Sequence, residues 1–309
     1  MWKQLLTLKS PAGKHAQLQI FSFHRVLNEA SNFWADDPDI ALFDRQIKWI
    51  TQSCNLLRLD EAVDRLNSGT LPAAAAAITF DDGYKNNLTN ALTVLEKYHA
   101  PATIFITIEA CENGIMWNDL VIEGIRCCQA PFKTVVGGTE QQIDRNRNPQ
   151  EILDAIKYLP HQERWSTAQS FFMQATDGAK APRLMMTPSE ITECRSDLIT
   201  FGAHTLTHPI LKELDDETCR AEIEGSKRFV EEWTQTPVTL FAYPNGRYGI
   251  DFAEREIDLA KSAGFKAAVA TDWGSADTNS NNYSLPRYTP WERSSFAFKM
   301  RILKTSLSS

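Results

Sequence analysis

Long apolar runs are missing from this chain, and none approaches the ~18 consecutive apolar residues that a membrane-spanning helix needs. The first twenty residues carry Lys3, Lys9 and Lys14 and one short apolar patch, Leu5-Leu6. That pattern is neither the core of a signal peptide nor a membrane span, and the expectation is a cytoplasmic protein without a transmembrane segment. Cysteine is sparse, with six residues, Cys54, Cys111, Cys127, Cys128, Cys194 and Cys219. They form no CxxC pair and no dense secreted framework. The adjacent Cys127-Cys128 could serve a metal or redox role, but buried reduced thiols are the plainer reading. Basic runs are absent too, and the net charge is -7. Phosphate binding requires a basic surface, so nucleic acid is not an expected partner. There is no internal repeat, no low-complexity segment and no His-Glu-x-x-His, which excludes a zincin protease. Nothing in the sequence speaks to oligomeric state.

What remains is an ordinary globular composition. The 309 residues are 43% hydrophobic and 23% charged, enough for a sizeable core. Leu18–Phe23 alternates and is aromatic-rich, so it reads as a strand ending at His24. Phe43, Ile47 and Ile50 follow helical spacing, and so do Leu59, Val63 and Leu66. Ala73–Phe80 is ambiguous alone, since alanine favours helix and Ile78-Thr79-Phe80 favours strand. Asp81-Asp82-Gly83 is turn chemistry. A helix marked by Leu88, Leu92 and Leu95 follows, then a β-prone run over 102–108. That βαβ order makes 73–80 a strand of a parallel sheet.

From about Cys111 to Pro188 the periodicity weakens. Gly137-Gly138 and Thr139–Gln150 read as loop, with helical stretches around 152–159 and 165–175, and the whole reads as an insertion. Thr187 is a helix N-cap candidate, and 198–203 is the next strand. Asp215 opens an amphipathic helix with Cys219, Ile223, Val230 and Trp233 on one stripe. Residues 238–243 and 265–270 read as strands around a helix that Gly264 closes. Such alternation means an α/β barrel or a doubly wound sheet.

Two segments carry chemistry. Thr79-Phe80-Asp81-Asp82-Gly83 sits where a parallel strand passes into a helix, the rim on which α/β barrels build sites. Adjacent carboxylates on a turn point apart, so one can bind a metal while the other faces a substrate. A helix cap explains one aspartate equally well. His204-Thr205-Leu206-Thr207-His208 also follows a strand. Spacing of i and i+4 puts two imidazoles on one face of a helical turn, able to hold one ion. Two histidines and one carboxylate leave room for water, as catalytic metals require. Zinc is the default for such a divalent site, although these donors also suit iron, cobalt or nickel.

These segments resemble the polysaccharide deacetylase family, carbohydrate esterases that share the nodulation-factor deacetylase domain. Thr79–Gly83 matches its first motif, His204–His208 its second, and Phe241-Ala242-Tyr243-Pro244-Asn245-Gly246 is similar to its third. The resemblance runs from about Phe21 to Pro290. It implies a distorted (β/α)7-type barrel with a mainly helical or loop insertion at about 111–188, within one catalytic domain spanning 1–309. By family roles Asp81 is the general base, and Asp82, His204 and His208 are metal ligands. Two departures stand out. Ala242 occupies the place of an arginine that holds the base in many members, with Arg287 of Leu285-Pro286-Arg287 as a replacement or simply a surface or salt-bridged arginine. No histidine follows His208, so a C-terminal catalytic histidine is lacking; His24, in Phe23-His24-Arg25-Val26, resembles the motif that opens one branch of the family.

The implied reaction removes an N-acetyl group from a saccharide. Asp81 takes a proton from the attacking water, a backbone N–H from Asn245 faces the oxyanion, and His24 protonates the leaving amine. Trp117, Tyr243, Trp273 and Trp291 are sugar-stacking candidates, against ordinary core packing for each. The expected substrate is an N-acetylated precursor of a surface polysaccharide or glycolipid. Alternatives are a non-sugar amide or imide at the same site, or a carbohydrate-binding relative without catalysis.

Overall fold

The computed structural model describes residues 2–136 and 138–305. Gly137, read with Gly138 as loop, lies outside the described residues. The strands, in chain order, are β1 (Leu18–Phe23), β2 (Asn55–Leu56), β3 (Ala75–Phe80), β4 (Ala102–Ile106), β5 (Phe132–Val136), β6 (Thr139–Ile143), β7 (Ile199–Ala203), β8 (Leu240–Ala242) and β9 (Ala267–Val269). Contacts divide the chain into two compact units, Met1–Glu109 with Met186–Ser309, and Ala110–Met185.

In the first unit, β1, β3, β4, β7, β8 and β9 pair in that order, all in parallel, with β2 lying against β3. The register sets Phe23 beside Phe80, Ile106 beside Ala203, and Ala242 beside Val269. The C-terminal ends of the strands therefore line one rim, which carries His24, Asp81, Thr107, His204 and Tyr243.

The row is closed by a segment too irregular to count as a strand. Leu285 bridges Val269 on one side and Tyr288 bridges Phe21 on the other. Leu285 N–H donates to Ala268 O at 3.0 Å, and Tyr288 N–H to Ile20 O at 2.8 Å. Pro286 lies between them and has no N–H to continue a ladder. Leu285–Tyr288 thus completes the ring, and the architecture is the expected distorted (β/α) barrel.

Alternate residues of the strands fill the interior. Leu18, Ile20, Ala75, Ala77, Phe105, Leu240, Ala242, Ala267, Val269 and Leu285 cluster with Leu59, Ala62, Val63 and Leu66 of helix Leu59–Asn67. This resolves the alanine run. β3 is buried along its whole length, and in a narrow barrel only small side chains fit beside Phe105 and the helix. Burial of both faces outweighs helix propensity. A Cβ on Gly202 would lie 2.5 Å from the Phe105 ring, so glycine leaves room for that ring. Outside, Phe43 of helix Ile40–Ser53 packs on Phe23 and Phe80 at 5.1 and 5.8 Å between centroids.

The second unit pairs helices Trp117–Arg126 and His161–Ala175 with an antiparallel hairpin of β5 and β6. The loop reading of Thr139–Gln150 is therefore corrected over Thr139–Ile143. Thr-Glu-Gln-Gln-Ile has no apolar alternation because most of this strand is exposed, and only Ile143 is anchored in the core. No described helix is long and apolar enough to cross a membrane.

Candidate active site

The first carboxylate is placed by the sheet. Asp81 N–H donates to Phe23 O at 2.9 Å, extending the β1–β3 ladder one step past the strands. The backbone then turns left-handed at two consecutive residues, Asp82 (φ 74°) and Gly83 (φ 90°). Aspartate tolerates that region and glycine suits it. The reversal swings the two side chains apart, as expected for adjacent carboxylates on a turn.

Asp81 faces Arg287. The guanidinium binds it at both ends, with Nη1–Oδ1 and Nη2–Oδ2 each 2.7 Å. Arg287 is itself fixed by Nε donating to Ala270 O at 2.7 Å and Nη1 to Thr79 Oγ1 at 3.2 Å. Both side chains are buried. Burial alone would raise the Asp81 pKa, but the charge and hydrogen bonds of Arg287, with help from His204 and His24, hold it below the usual carboxylate range. Arg287 is thus a buried partner of the carboxylate rather than a surface arginine, and it arrives on the segment that closes the barrel. Ala242, which stands where many relatives carry the arginine, faces the interior and offers its carbonyl to His204 instead.

Asp82 faces two imidazoles. Its Oδ1 lies 3.4 Å from His204 Nε2 and 3.5 Å from His208 Nε2. One potential ligand atom from each of the three residues lies within 4.8 Å of the others. Among the described residues, Asp82 Oδ1 is buried and has no hydrogen-bond partner, an arrangement that costs free energy unless a cation sits against it. His204 Nδ1 is 2.7 Å from Ala242 O. The tautomer that donates there leaves a lone pair on Nε2. Burial acts to raise the pKa of Asp82, yet the imidazoles, His204 first, bring it well below its ordinary value. For His204 burial acts downward and the two aspartates, Asp82 foremost, prevail to raise it. Two nitrogens and one oxygen with these spacings fit a divalent ion.

The histidines do not meet on a helical turn, contrary to the expectation from their spacing. Thr205 (φ 66°) and His208 (φ 55°) are both left-handed, and the segment is a pinned loop. Glu222, buried on helix Asp216–Thr234, accepts the N–H groups of Leu206 and Thr207 at 2.7 and 2.9 Å and the Thr207 hydroxyl at 2.7 Å. Thr205 Oγ1 accepts His208 N–H at 3.1 Å, and Thr107 Oγ1 donates to His204 O at 3.2 Å. Sequence reading missed Glu222. Its signal is a lone acid on the buried stripe of that helix, between Cys219 and Ile223.

His24 also reaches the site. Its Nε2 is 4.0 Å from Asp81 Oδ2, and its side chain is 44% exposed, so it borders solvent. Three asparagines just after the Asp-Asp-Gly turn hold its segment. Asn87 Nδ2 donates to His24 O at 2.8 Å, Asn90 Nδ2 donates to Val26 O at 2.7 Å, and Asn86 Oδ1 accepts Val26 N–H at 3.3 Å.

The remaining candidates divide. Tyr243 is corrected as a substrate contact. Its ring stacks on Phe252 at 3.7 Å, its hydroxyl donates to Tyr283 O at 3.0 Å, and it is 1% exposed. Its large apolar ring is worth more buried beneath the turn than offered to solvent. Asn245 (φ 57°) and Gly246 (φ 72°) form a left-handed turn after β8, closed by Thr271 Oγ1 donating to Asn245 O at 2.6 Å. Trp273 and Trp291 are 45% and 43% exposed with centroids 4.9 Å apart, and Trp273 leans edge-on against Tyr288, next to Arg287. Trp117 belongs to the second unit, where the Arg164 guanidinium lies over its ring at 5.1 Å. Cys127 and Cys128 are free thiols, with Cys128 buried.

Comparison with known proteins bears on the family and the fold. Residues 68–268 match the family described as Polysaccharide deacetylase. A protein of Bacillus subtilis (strain 168), YxkH, named as a polysaccharide deacetylase, is 22% identical over 276 residues, covering 89% of this chain and 71% of that one. The poly-beta-1,6-N-acetyl-D-glucosamine N-deacetylase of Staphylococcus epidermidis is 34% identical over 79 residues, which is 25% of this chain and 26% of that protein. Among solved structures, the Streptococcus pyogenes deacetylase PplD superposes with a TM-score of 0.63 at 18% identity, covering 94% of this chain and 98% of that one.

Proposed function

The chain belongs to the polysaccharide deacetylase family, and from that premise we propose that it hydrolyses the acetamide of an N-acetylated saccharide, using Asp81 as general base. The observation that carries this reading is the bidentate Arg287–Asp81 pair beside the Asp82, His204 and His208 cluster. A base must be ionised and aimed, and Arg287 does both for Asp81. Asp82, His204 and His208 would hold one divalent ion, for which we propose zinc. When bound, such an ion supplies Lewis-acid polarisation of the amide carbonyl and of water.

The residues themselves account for the proton path. Asp81 takes the proton of the attacking water, and the Asn245 backbone N–H faces the developing oxyanion. An amine leaves only when protonated, and His24, 4.0 Å from Asp81 and open to solvent, is suited to deliver that proton. Trp273 and Trp291 present an exposed aromatic surface to a sugar face. The reading as a binding relative without catalysis rested on Ala242 and on the missing C-terminal histidine. Arg287 and His24 supply the corresponding groups from other staves. We propose an N-acetylated precursor of a surface polysaccharide or glycolipid, met in the cytoplasm, as the substrate.

The test is acetate release from a panel of N-acetylated sugars, with bound metal quantified in parallel, for the protein and for Asp81→Asn and His204→Ala. The expected result is metal-dependent release, lost in both variants, with metal retained in Asp81→Asn. Release that survives Asp81→Asn rejects the assigned base. A protein with neither metal nor release rejects the enzyme reading.

A further inference from the structure

One face of the barrel unit is used neither by the core nor by the rim. Helices Trp2–Lys9 and Ser295–Thr305 lie side by side, with Trp2 meeting Phe296 edge-on at 6.3 Å. Their inner residues Leu6, Phe298 and Ile302 are buried, so the docking of both helices is already provided for. Their outer residues remain apolar, with Leu8 78%, Phe296 68%, Met300 45% and Leu5 41% exposed. A groove of about 890 Å³ runs between them, lined by Leu5, Leu8, Lys9, Ala297, Met300 and Arg301 among others. An exposed apolar patch of this kind marks an interaction surface.

Charge identifies the partner. The two helices carry Lys3, Lys9, Lys299, Arg301 and Lys304 and no acidic residue, although the chain as a whole is net -7. Arg301 is partly offset by Glu292 at 3.0 Å, and Lys3 meets the neutral side-chain oxygen of Asn55 at 3.1 Å. Apolar side chains flanked by cations are the pattern of a helix face lying in a lipid headgroup region. A second copy meeting the same face would set these cations against one another.

We propose that this two-helix face docks on an anionic lipid bilayer, with Leu8, Phe296 and Met300 entering the headgroup boundary and Lys9 and Lys299 facing acidic headgroups. This would bring the barrel to a membrane-held saccharide. The proposal does not depend on the assigned chemistry, because vesicle binding is read without turnover.

The experiment is flotation of the full chain with vesicles of phosphatidylglycerol and phosphatidylcholine in equal parts, against phosphatidylcholine alone. Binding to the anionic vesicles is expected, weakening as salt rises. Lys9→Gln and Lys299→Gln should each lower partitioning roughly fivefold. The double variant Leu8→Ser, Phe296→Ser should lower it by at least about tenfold. Both positions are exposed, so folding and acetate release from a soluble sugar should be unchanged. Equal binding to the two vesicle types, or full binding by the double variant, overturns the proposal. So does a dimer in sedimentation that the double variant abolishes, since the face would then belong to a second copy.

Discussion

At the scale of single residues, the decisive contact is the buried pair of Asp81 and Arg287. Removing one partner of such a pair leaves an uncompensated charge, which costs about 3–5 kcal/mol. Arg287→Gln should therefore lower stability by that order in chemical denaturation, and Arg287→Lys should restore it poorly, because an ammonium cannot grip both oxygens. The pH dependence follows from the sign of the shift. Asp81 is held below its unfolded value, so its contribution to stability is present above the unfolded pKa and is lost as pH falls through the folded one. In Arg287→Gln burial is no longer outweighed and the Asp81 pKa rises. The acid limb of kcat/KM should move to higher pH, and an unmoved limb would separate Arg287 from the base. His24→Ala is expected to cut turnover by about 10²–10⁴-fold while sparing metal content; equal turnover would remove His24 from the proton path.

At the scale of elements, the loop from His204 to His208 depends on helix Asp216–Thr234. Glu222 holds three donors of that loop. In Glu222→Gln one amide arm can no longer accept, so the imidazoles lose their fixed spacing. Metal affinity should fall about 10–100-fold, the usual cost of disturbing an outer partner of a ligand, and calorimetric titration with zinc measures it. A second element-level case is β7. Gly202→Ala places a methyl within 2.5 Å of the Phe105 ring and 3.0 Å of Leu240 O. The ring fills the barrel interior and has little room to retreat, so a loss of about 1–3 kcal/mol is expected from thermal unfolding.

At the scale of the molecule, the candidate ligand set links two distant stretches of chain, Asp82 after β3 and the histidines after β7. An ion bound there closes that connection only in the folded state. Its removal by a chelator should lower the melting temperature, and zinc at about 100 times its Kd should raise stability by about 2.7 kcal/mol. A melting temperature that ignores both additions would argue against a metal at this place. Added cobalt, nickel and iron in the same assay would rank the ions.

How much of this was legible in the sequence varies with the range of the interaction. Asp81, Asp82, His204 and His208 were legible as candidates because each pair is local and follows a recognisable strand, and the barrel was visible through its β-α alternation. The left-handed loop that joins the histidines was not, since spacing alone cannot tell a helical turn from a loop pinned by a remote Glu222. Tyr243 looked available in the motif and proved to be core, because burial is decided by what packs against it, here Phe252. Arg287 offered two readings in the sequence, and the barrel decided between them. The arginine lies 206 residues from Asp81 along the chain and becomes its partner only when Leu285–Tyr288 closes the ring between β9 and β1. Local patterns of charge and polarity determined which residues are candidates for the chemistry; the tertiary structure decided which of them face one another, because closing a parallel barrel joins positions that no local pattern relates.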